Sequence, residues 1–141
     1  MILEIEKGLE TVIIRTTADR CALSEVCGYI DQFMQEFEAD LNFAPTIIAR
    51  ELVSNAIQHG SPVGEENQII VEVKSVGTNS FRITVEDEGR GFDYTNLDTQ
   101  LTDDPRKIKD RGLSLITALS DRLEFNEKGN RITAFFNVNG V

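Results

Sequence analysis

Two residues near the middle of the chain carry side chains suited to phosphate chemistry. Glu51 and Asn55 lie four positions apart in the segment ELVSNAIQHG, and side chains at that spacing meet on one face of a helix. A carboxylate can act as a general base, and an amide oxygen is a hard ligand of the kind that Mg²⁺ accepts. The alternative is a solvated helix edge, because charged helix faces are usually only surface. The pair has chemical meaning only if phosphates bind beside it.

A second candidate is the stretch VEDEGRGFD, in which a strand-like run ends in acid and glycine. Asp87 at a strand end could accept a hydrogen bond from an exocyclic amine such as that of adenine, and Gly89 and Gly91 would let a flat ring or a phosphate approach the backbone. The stretch is not an EF-hand loop, because these glycines stand where ligand oxygens are needed. The chain contains neither a Walker sequence nor G-x-G-x-x-G. From these residues alone, a plain tight turn remains the alternative.

Apolar periodicity predicts the elements that must position these residues. Strands are predicted at residues 10–17, 68–76 and 81–87 and as a pair within 122–139, and helices at 18–40, 42–60 and 111–121. The segment between 88 and 110 is polar and long for a simple connection, which indicates a functional or mobile loop. Helices segregated from a run of antiparallel strands predict an α+β sandwich with helices on one face of the sheet.

The middle helix has two distinct arcs when its residues are turned by about 100° each. The broad arc is apolar and is expected to face the core; it comprises Ala49, Leu52, Val53, Ala56 and Ile57. Glu51, Asn55 and Gln58 fall on a narrower arc beside it, with Ile48 and His59 at the border. The candidate chemistry therefore lies next to the core stripe of this helix.

Length, charge and composition limit the classes of protein to which this chain can belong. The chain has 141 residues and is expected to form one domain over 1–141, with a formal net charge of −10. Such an acidic surface repels nucleic-acid phosphates and argues against DNA or RNA as the main partner. No stretch is apolar enough to cross a membrane, and the acidic start lacks the features of a signal peptide, so the cytoplasm is expected. Cys21 and Cys27 match neither a redox pair nor a zinc pattern and are expected to be free, partly buried thiols.

The segments ELVSNAIQHG, VEDEGRGFD and RGLSLITALSD occur in this order, with the polar loop between the last two. Together they resemble the ATP-binding domain shared by gyrase, MutL and the histidine kinases, in which they would be the N box and two glycine boxes around an ATP lid. The resemblance covers residues 19–137. It implies the histidine kinase-like ATPase, or Bergerat, fold: a two-layer sandwich of a mostly antiparallel mixed sheet with helices on one face. When DDPRKIKDRGLSLITALSDRLEF is taken together with the first two motifs, the chain also resembles the RsbW-type anti-sigma-factor serine kinases, which are stand-alone ATP-binding domains.

The resemblance implies roles for five residues of the first two motifs. Glu51 would be the catalytic base that polarises the attacking hydroxyl group, and Asn55 would supply an oxygen to Mg²⁺. Asp87 would bind the amino group of adenine, with Gly89 and Gly91 lining the nucleotide. ATP and Mg²⁺ are therefore the expected cofactors.

The remaining site residues follow from the last motif and the final strand. Lys107, Lys109 and Arg111 would neutralise the β- and γ-phosphates from the lid, although a solvated loop explains the same cluster. Gly112 would open the last helix, whose N-terminal amides suit phosphate. Thr133, on the final strand, would lie near adenine together with Asp87.

The implied function is a protein serine kinase that sequesters a sigma factor and phosphorylates a STAS-domain antagonist. Homodimerisation is usual in that subfamily. One departure concerns the last glycine box, which usually has a glycine two positions before Gly112 and often another after it. Here Asp110 and Ser114 stand in those places. The charge of Asp110 near the phosphates motivates an alternative, a non-catalytic nucleotide-dependent binding module that switches partners; a slow ATP hydrolase is the third hypothesis.

Overall fold

The computed structural model describes residues 1–36, 44–59, 68–77, 79–87, 116–127 and 130–137. The strands are β1 (Ile2–Lys7), β2 (Thr11–Thr17), β3 (Gln68–Gly77), β4 (Ser80–Asp87), β5 (Arg122–Phe125) and β6 (Arg131–Asn137). The helices are α1 (Arg20–Glu36) and α2 (Ala44–His59), and residues 116–119 are also helical. The described parts confirm an α+β architecture.

The six strands form one sheet in the order β1-β2-β3-β4-β6-β5. Every described strand pair is antiparallel, so this part of the sheet contains none of the parallel pairing that a mixed sheet would have. The last strand of the chain, β6, lies between β4 and β5. As a result, β4 is paired along both edges, with β3 on one side and β6 on the other.

One face of the sheet forms the core with the two helices. Side chains alternate across a strand, and on β4 the buried ones are Phe81, Ile83, Val85 and Asp87. The cross-strand register continues these rows onto the neighbouring strands, for example from Val85 to Ile132 on β6. Both α1 and α2 pack on the sheet and against each other. Their buried side chains join the same apolar cluster.

The start of α1 is fixed by a capping carboxylate. Asp19 accepts a hydrogen bond at Oδ1 from the backbone N–H of Ala22 at 2.9 Å, the usual N-cap contact. Its Oδ2 accepts a 2.6 Å bond from the hydroxyl of Thr17 and a 3.1 Å contact from the amine of Met1. The bond from Thr17, followed by that from the amine, holds the pKa of Asp19 below its ordinary value.

The structure differs from the sequence-based expectations in three places. Strand β1 was not predicted, and it adds a sixth strand at one edge of the sheet. Ile48 is fully buried and not at a border, whereas Ile57 is only half-buried. Both thiols are free, as expected, but Cys21 is exposed and only Cys27 is buried. Burial raises the pKa of the Cys27 thiol.

Within the described residues, neither helix combines the length and hydropathy needed to cross a bilayer.

Candidate functional site

Asp87 is the last residue of β4 and one of the few buried polar side chains among the described residues. Its exposed fraction is 6 %, and it continues the row of Phe81, Ile83 and Val85 on the helix-facing side of the sheet. Its cross-strand neighbour on β3 is the fully buried Ile69. An ionisable group is rarely buried without a partner or a function. The position at a strand end, facing the helical layer, suits a carboxylate that contacts a ligand.

Asn130 lies beside Asp87 on the other flank of β4. Its Nδ2 donates to the carbonyl oxygen of Asp87 at 2.7 Å, and its own carbonyl oxygen accepts from the backbone N–H of Asp87 at 2.9 Å. Asn130 was not predicted from the sequence as a site residue, because an Asn after the Gly of NEKGN is typical of an ordinary turn. The only local signal was its position immediately before the alternating segment of β6.

Glu51 and Asn55 are both half-buried on α2. They border the buried stripe of this helix on the side of Ile48, which has no exposed surface. The full burial of Ile48 shifts the core stripe toward the Glu51–Asn55 edge. These two side chains are therefore at the margin of the core and not on a fully solvated face.

Three of the expected site residues belong to elements that pack against each other. Helix α2 packs on β3, β4 and β6, and Asp87 is on the face of β4 that the helices cover. Glu51 and Asn55 belong to the helix that provides this cover. Asp87 and the Glu51–Asn55 pair thus belong to two packed elements, and their joint role in one nucleotide site stays a prediction.

Thr133 is placed elsewhere. It alternates with the buried Ile132 and Ala134 on β6, so its side chain is on the face of the sheet away from the helices. There its hydroxyl lies 3.2 Å from that of Thr84. The side chains of Thr133 and Asp87 therefore lie on opposite faces of the sheet, and a contact of Thr133 with adenine stays a prediction from sequence. The residue of the final hairpin that contacts Asp87 is Asn130.

A groove of about 400 Å³ lies on this outer face. Its lining includes Arg82, Glu86, Thr133 and Phe135, and Arg82 forms an ion pair with Glu72 at 3.4 Å. The groove is separated from Asp87 by the sheet. Its walls carry charges of both signs, and they select no class of ligand.

The other expected site residues lie outside the described part of the chain. They are Gly89, Gly91, Lys107, Lys109, Arg111 and Gly112. The roles of these glycines and lid cations stay predictions from sequence.

The described side chains fit a magnesium ion only in company with a nucleotide. No group of three His, Cys, Asp or Glu side chains gathers as a metal site among them. The Asn55 amide oxygen is a hard donor of the type that Mg²⁺ prefers, and Mg²⁺ is commonly held by one or two protein ligands together with substrate phosphates. The donor set therefore agrees with a metal that arrives with phosphates.

Comparison with known families gives one match and one negative result. No curated protein was matched as a relative of this chain. The family model described as "Histidine kinase-like ATPase domain" matches residues 14–136, which extend from β2 to the end of β6. The matched region contains α2 with Glu51 and Asn55 and the strand end with Asp87, and it implies that the site uses a nucleotide. With most of its length covered by this match, the chain belongs to the histidine kinase-like ATPase domain family.

Proposed function

We propose that this protein is an ATP-dependent protein serine kinase of the anti-sigma-factor type, which binds Mg·ATP, phosphorylates a STAS-domain antagonist and sequesters a sigma factor. Membership of the histidine kinase-like ATPase domain family supports the use of ATP. The similarity of the N box, the two glycine boxes and the DDPRKIKDRG segment that leads into the second glycine box to RsbW-type kinases supports the finer assignment.

The observation that supports the proposal is the packing of α2, the helix of Glu51 and Asn55, on β4, the strand that ends at the buried Asp87. Asp87 is 6 % exposed on the helix-facing side of β4, and α2 covers this side with Glu51 and Asn55 at its margin. A buried acceptor suits the adenine amine, and the half-buried pair suits the phosphate end of the same ligand. A helix edge that served only as surface would not need a buried carboxylate in the same layer.

Each of the three described site residues has a separate role in the proposed reaction. Asp87 accepts a hydrogen bond from the adenine amine and so orients the nucleotide. Glu51 accepts the proton of the acceptor serine hydroxyl while the new P–O bond forms and the bond to the leaving ADP oxygen breaks. Asn55 directs its amide oxygen toward the metal. Mg·ATP supplies the phosphoryl group and a cation that offsets the charge on its oxygens.

Charge supports a sigma factor as the sequestered partner. The net charge of −10 complements the basic surface with which a DNA-binding protein meets phosphates, and complementary charge speeds association and selects partners. Binding of this kind would compete with the nucleic acid for the same basic side chains. We expect the complex to weaken with rising salt concentration.

The decisive experiment is phosphoryl transfer to a STAS-domain antagonist encoded near the gene for this chain. The purified proteins are incubated with γ-labelled ATP and Mg²⁺, and labelled phosphoserine is measured over time. Native protein should transfer label, whereas Glu51→Gln should lose at least a hundredfold in rate, as expected for loss of a general base, with ADP affinity kept. No phosphoserine with the native protein would contradict kinase activity.

A non-catalytic binding module is the second candidate, and Asp110 favours it. A carboxylate in the last glycine box would lie near the phosphates and oppose the transfer step. In this case the protein would bind ADP and its partners, and partner affinity would depend on nucleotide, but no phosphoserine would form. Phosphate release without any protein acceptor would instead indicate a slow hydrolase.

A further inference from the structure

We propose that Asn130 is a positioning residue that holds Asp87 in the orientation needed to select adenine. This inference rests on the proposed function, because it concerns the same nucleotide site. Asn130 immediately precedes β6 and is buried, with an exposed fraction of 9 %. A buried amide side chain needs partners for its polar atoms, and in this structure one of those partners is Asp87.

Two hydrogen bonds join Asn130 to Asp87. The side-chain Nδ2 of Asn130 donates to the carbonyl oxygen of Asp87 at 2.7 Å, and the backbone N–H of Asp87 donates to the carbonyl oxygen of Asn130 at 2.9 Å. The first bond depends on the Asn130 side chain, and the second depends only on the backbone. Substitution of Asn130 by Ala therefore removes the side-chain bond and tests whether the backbone bond persists without it.

A second asparagine fixes the orientation of the Asn130 amide. Asn126 Nδ2 donates to Asn130 Oδ1 at 2.6 Å, while Asn126 Oδ1 accepts from the backbone N–H of Arg131 at 3.1 Å. If the Asn130 amide were flipped, its oxygen would face the Asp87 carbonyl and its N–H₂ group would face the donor of Asn126. Both contacts would then be repulsive, so the amide can satisfy its neighbours in one orientation only.

The hydrogen bonds between Asn130 and Asp87 are important because of where Asp87 lies. Asp87 is the final residue of β4, and its side chain continues the helix-facing row of the strand. A carboxylate oxygen must lie about 3 Å from an exocyclic amine to accept its hydrogen, so a small shift of the strand end removes the contact. Guanine lacks the amine that the carboxylate would contact in adenine. Loss of the hydrogen bond from Asn130 Nδ2 should therefore weaken the binding of adenine nucleotides more than the binding of guanine nucleotides.

The test compares ADP and GDP binding by calorimetry in native protein and in Asn130→Ala. We expect ADP affinity to fall about tenfold, the effect of losing one hydrogen bond to a buried group, and GDP affinity to change less, so that the preference for adenine falls. Asn137→Ala is the matched control. Asn137 bonds Ser80 and Asp121 at the other end of β6, so its substitution should lower stability without changing the ratio of the two affinities.

A second measurement does not depend on nucleotide binding. Hydrogen exchange at the Asp87 amide should be faster in Asn130→Ala than in native protein or in Asn137→Ala. If Asn130→Ala does not fold, Asn126→Ala, which removes the bond to Asn130 Oδ1 at a half-buried position, should give a smaller change in the same direction.

The outcomes separate the two proposals. Unchanged exchange at Asp87, an unchanged ratio of ADP to GDP affinity, or an equal fall of that ratio in Asn137→Ala would each overturn the positioning role. Native protein that binds neither nucleotide would instead overturn the proposed function before any variant is compared.

Discussion

Thr84 and Thr133 face each other across β4 and β6 with their hydroxyl oxygens 3.2 Å apart. This pair lies on the face of the sheet that the helices leave uncovered, whereas Asp87 lies on the covered face. Period-two alternation fixes this separation, because neighbouring residues of a strand point to opposite faces. Asn130, the residue before the final strand, therefore contacts Asp87 at the end of β4, whereas the hydroxyl of Thr133 lies on the other face.

Thr133→Val should leave nucleotide binding unchanged. The substitution removes a half-buried hydroxyl on the outer face and keeps a β-branched side chain, so the free energy of unfolding should change by no more than about 1 kcal/mol. Calorimetric titration with ADP measures the expected result, an affinity within a factor of about two of native. An affinity loss of tenfold would show that Thr133 reaches the nucleotide after all.

Asp87→Asn should weaken ADP binding more than GDP binding. The amide keeps the size of the carboxylate but loses its charge and replaces one acceptor oxygen with an N–H₂ donor, so the hydrogen bond from the adenine amine loses its charged acceptor. A loss of at least tenfold for ADP is expected from a hydrogen bond to a charged group. Glu86→Gln is the matched control, since Glu86 is the preceding residue of β4 and points to the opposite face. Equal losses for both nucleotides would contradict the assignment of Asp87 to adenine.

Asn55→Ala should reduce the part of nucleotide affinity that depends on Mg²⁺. Removal of the amide oxygen takes away the only protein ligand proposed for the metal. The ratio of ATP affinities measured with Mg²⁺ and with a chelator should fall about tenfold, while circular dichroism stays native. Ser54→Ala, another half-buried position on α2, serves as the control. A ratio that does not change would rule out the ligand role.

Acidification should destabilise the fold in part through Asp19. Folding lowers the pKa of Asp19 below its ordinary value of 3.8, chiefly through the Thr17 hydroxyl and next through the Met1 amine. The folded state therefore favours the charged carboxylate, and the stability that this provides is present above pH 3.8 and lost as the pH falls through the lowered pKa. Because nearly half of this side chain is exposed, solvent screening keeps the effect small.

Urea unfolding between about pH 2 and pH 6 measures this dependence. Asp19→Asn keeps a good N-cap residue but cannot change its charge. Its free energy of unfolding should therefore decline less between these pH values than that of native protein. Parallel pH profiles for the two proteins would contradict the role of Asp19.

Much of the fold could be predicted because burial on one face leaves a periodic pattern. On β4, for example, alternation from Phe81 to Asp87 indicated both the strand and its last residue. Strand β1 lacked that signal, since it is an edge strand with no fully buried side chain. Ile2 and Ile5 are half-buried, while Leu3 is 42 % exposed. The hydrophobic period that identifies a strand depends on a buried face, which β1 does not have.

The site was only partly predictable for a different reason. Glu51 and Asn55 could be paired because helical spacing is local. Asn130 contacts Asp87 across 43 positions of sequence, and a contact of this kind depends on strand order, which single residues do not encode. Thr133 shows the converse case. Its alternation with Ile132 and Ala134 contained the correct face, but a family resemblance alone assigned it to the adenine site.

The insertion of β6 between β4 and β5 has a consequence for synthesis on the ribosome. The strand that ends at Asp87 emerges well before residues 131–137, and until these residues leave the exit tunnel one edge of β4 has no partner. Long-range pairing of this kind is slow to form. A nascent chain should thus acquire nucleotide affinity only after residues 131–137 have emerged, and a product truncated before β6 should expose an open strand edge prone to aggregation.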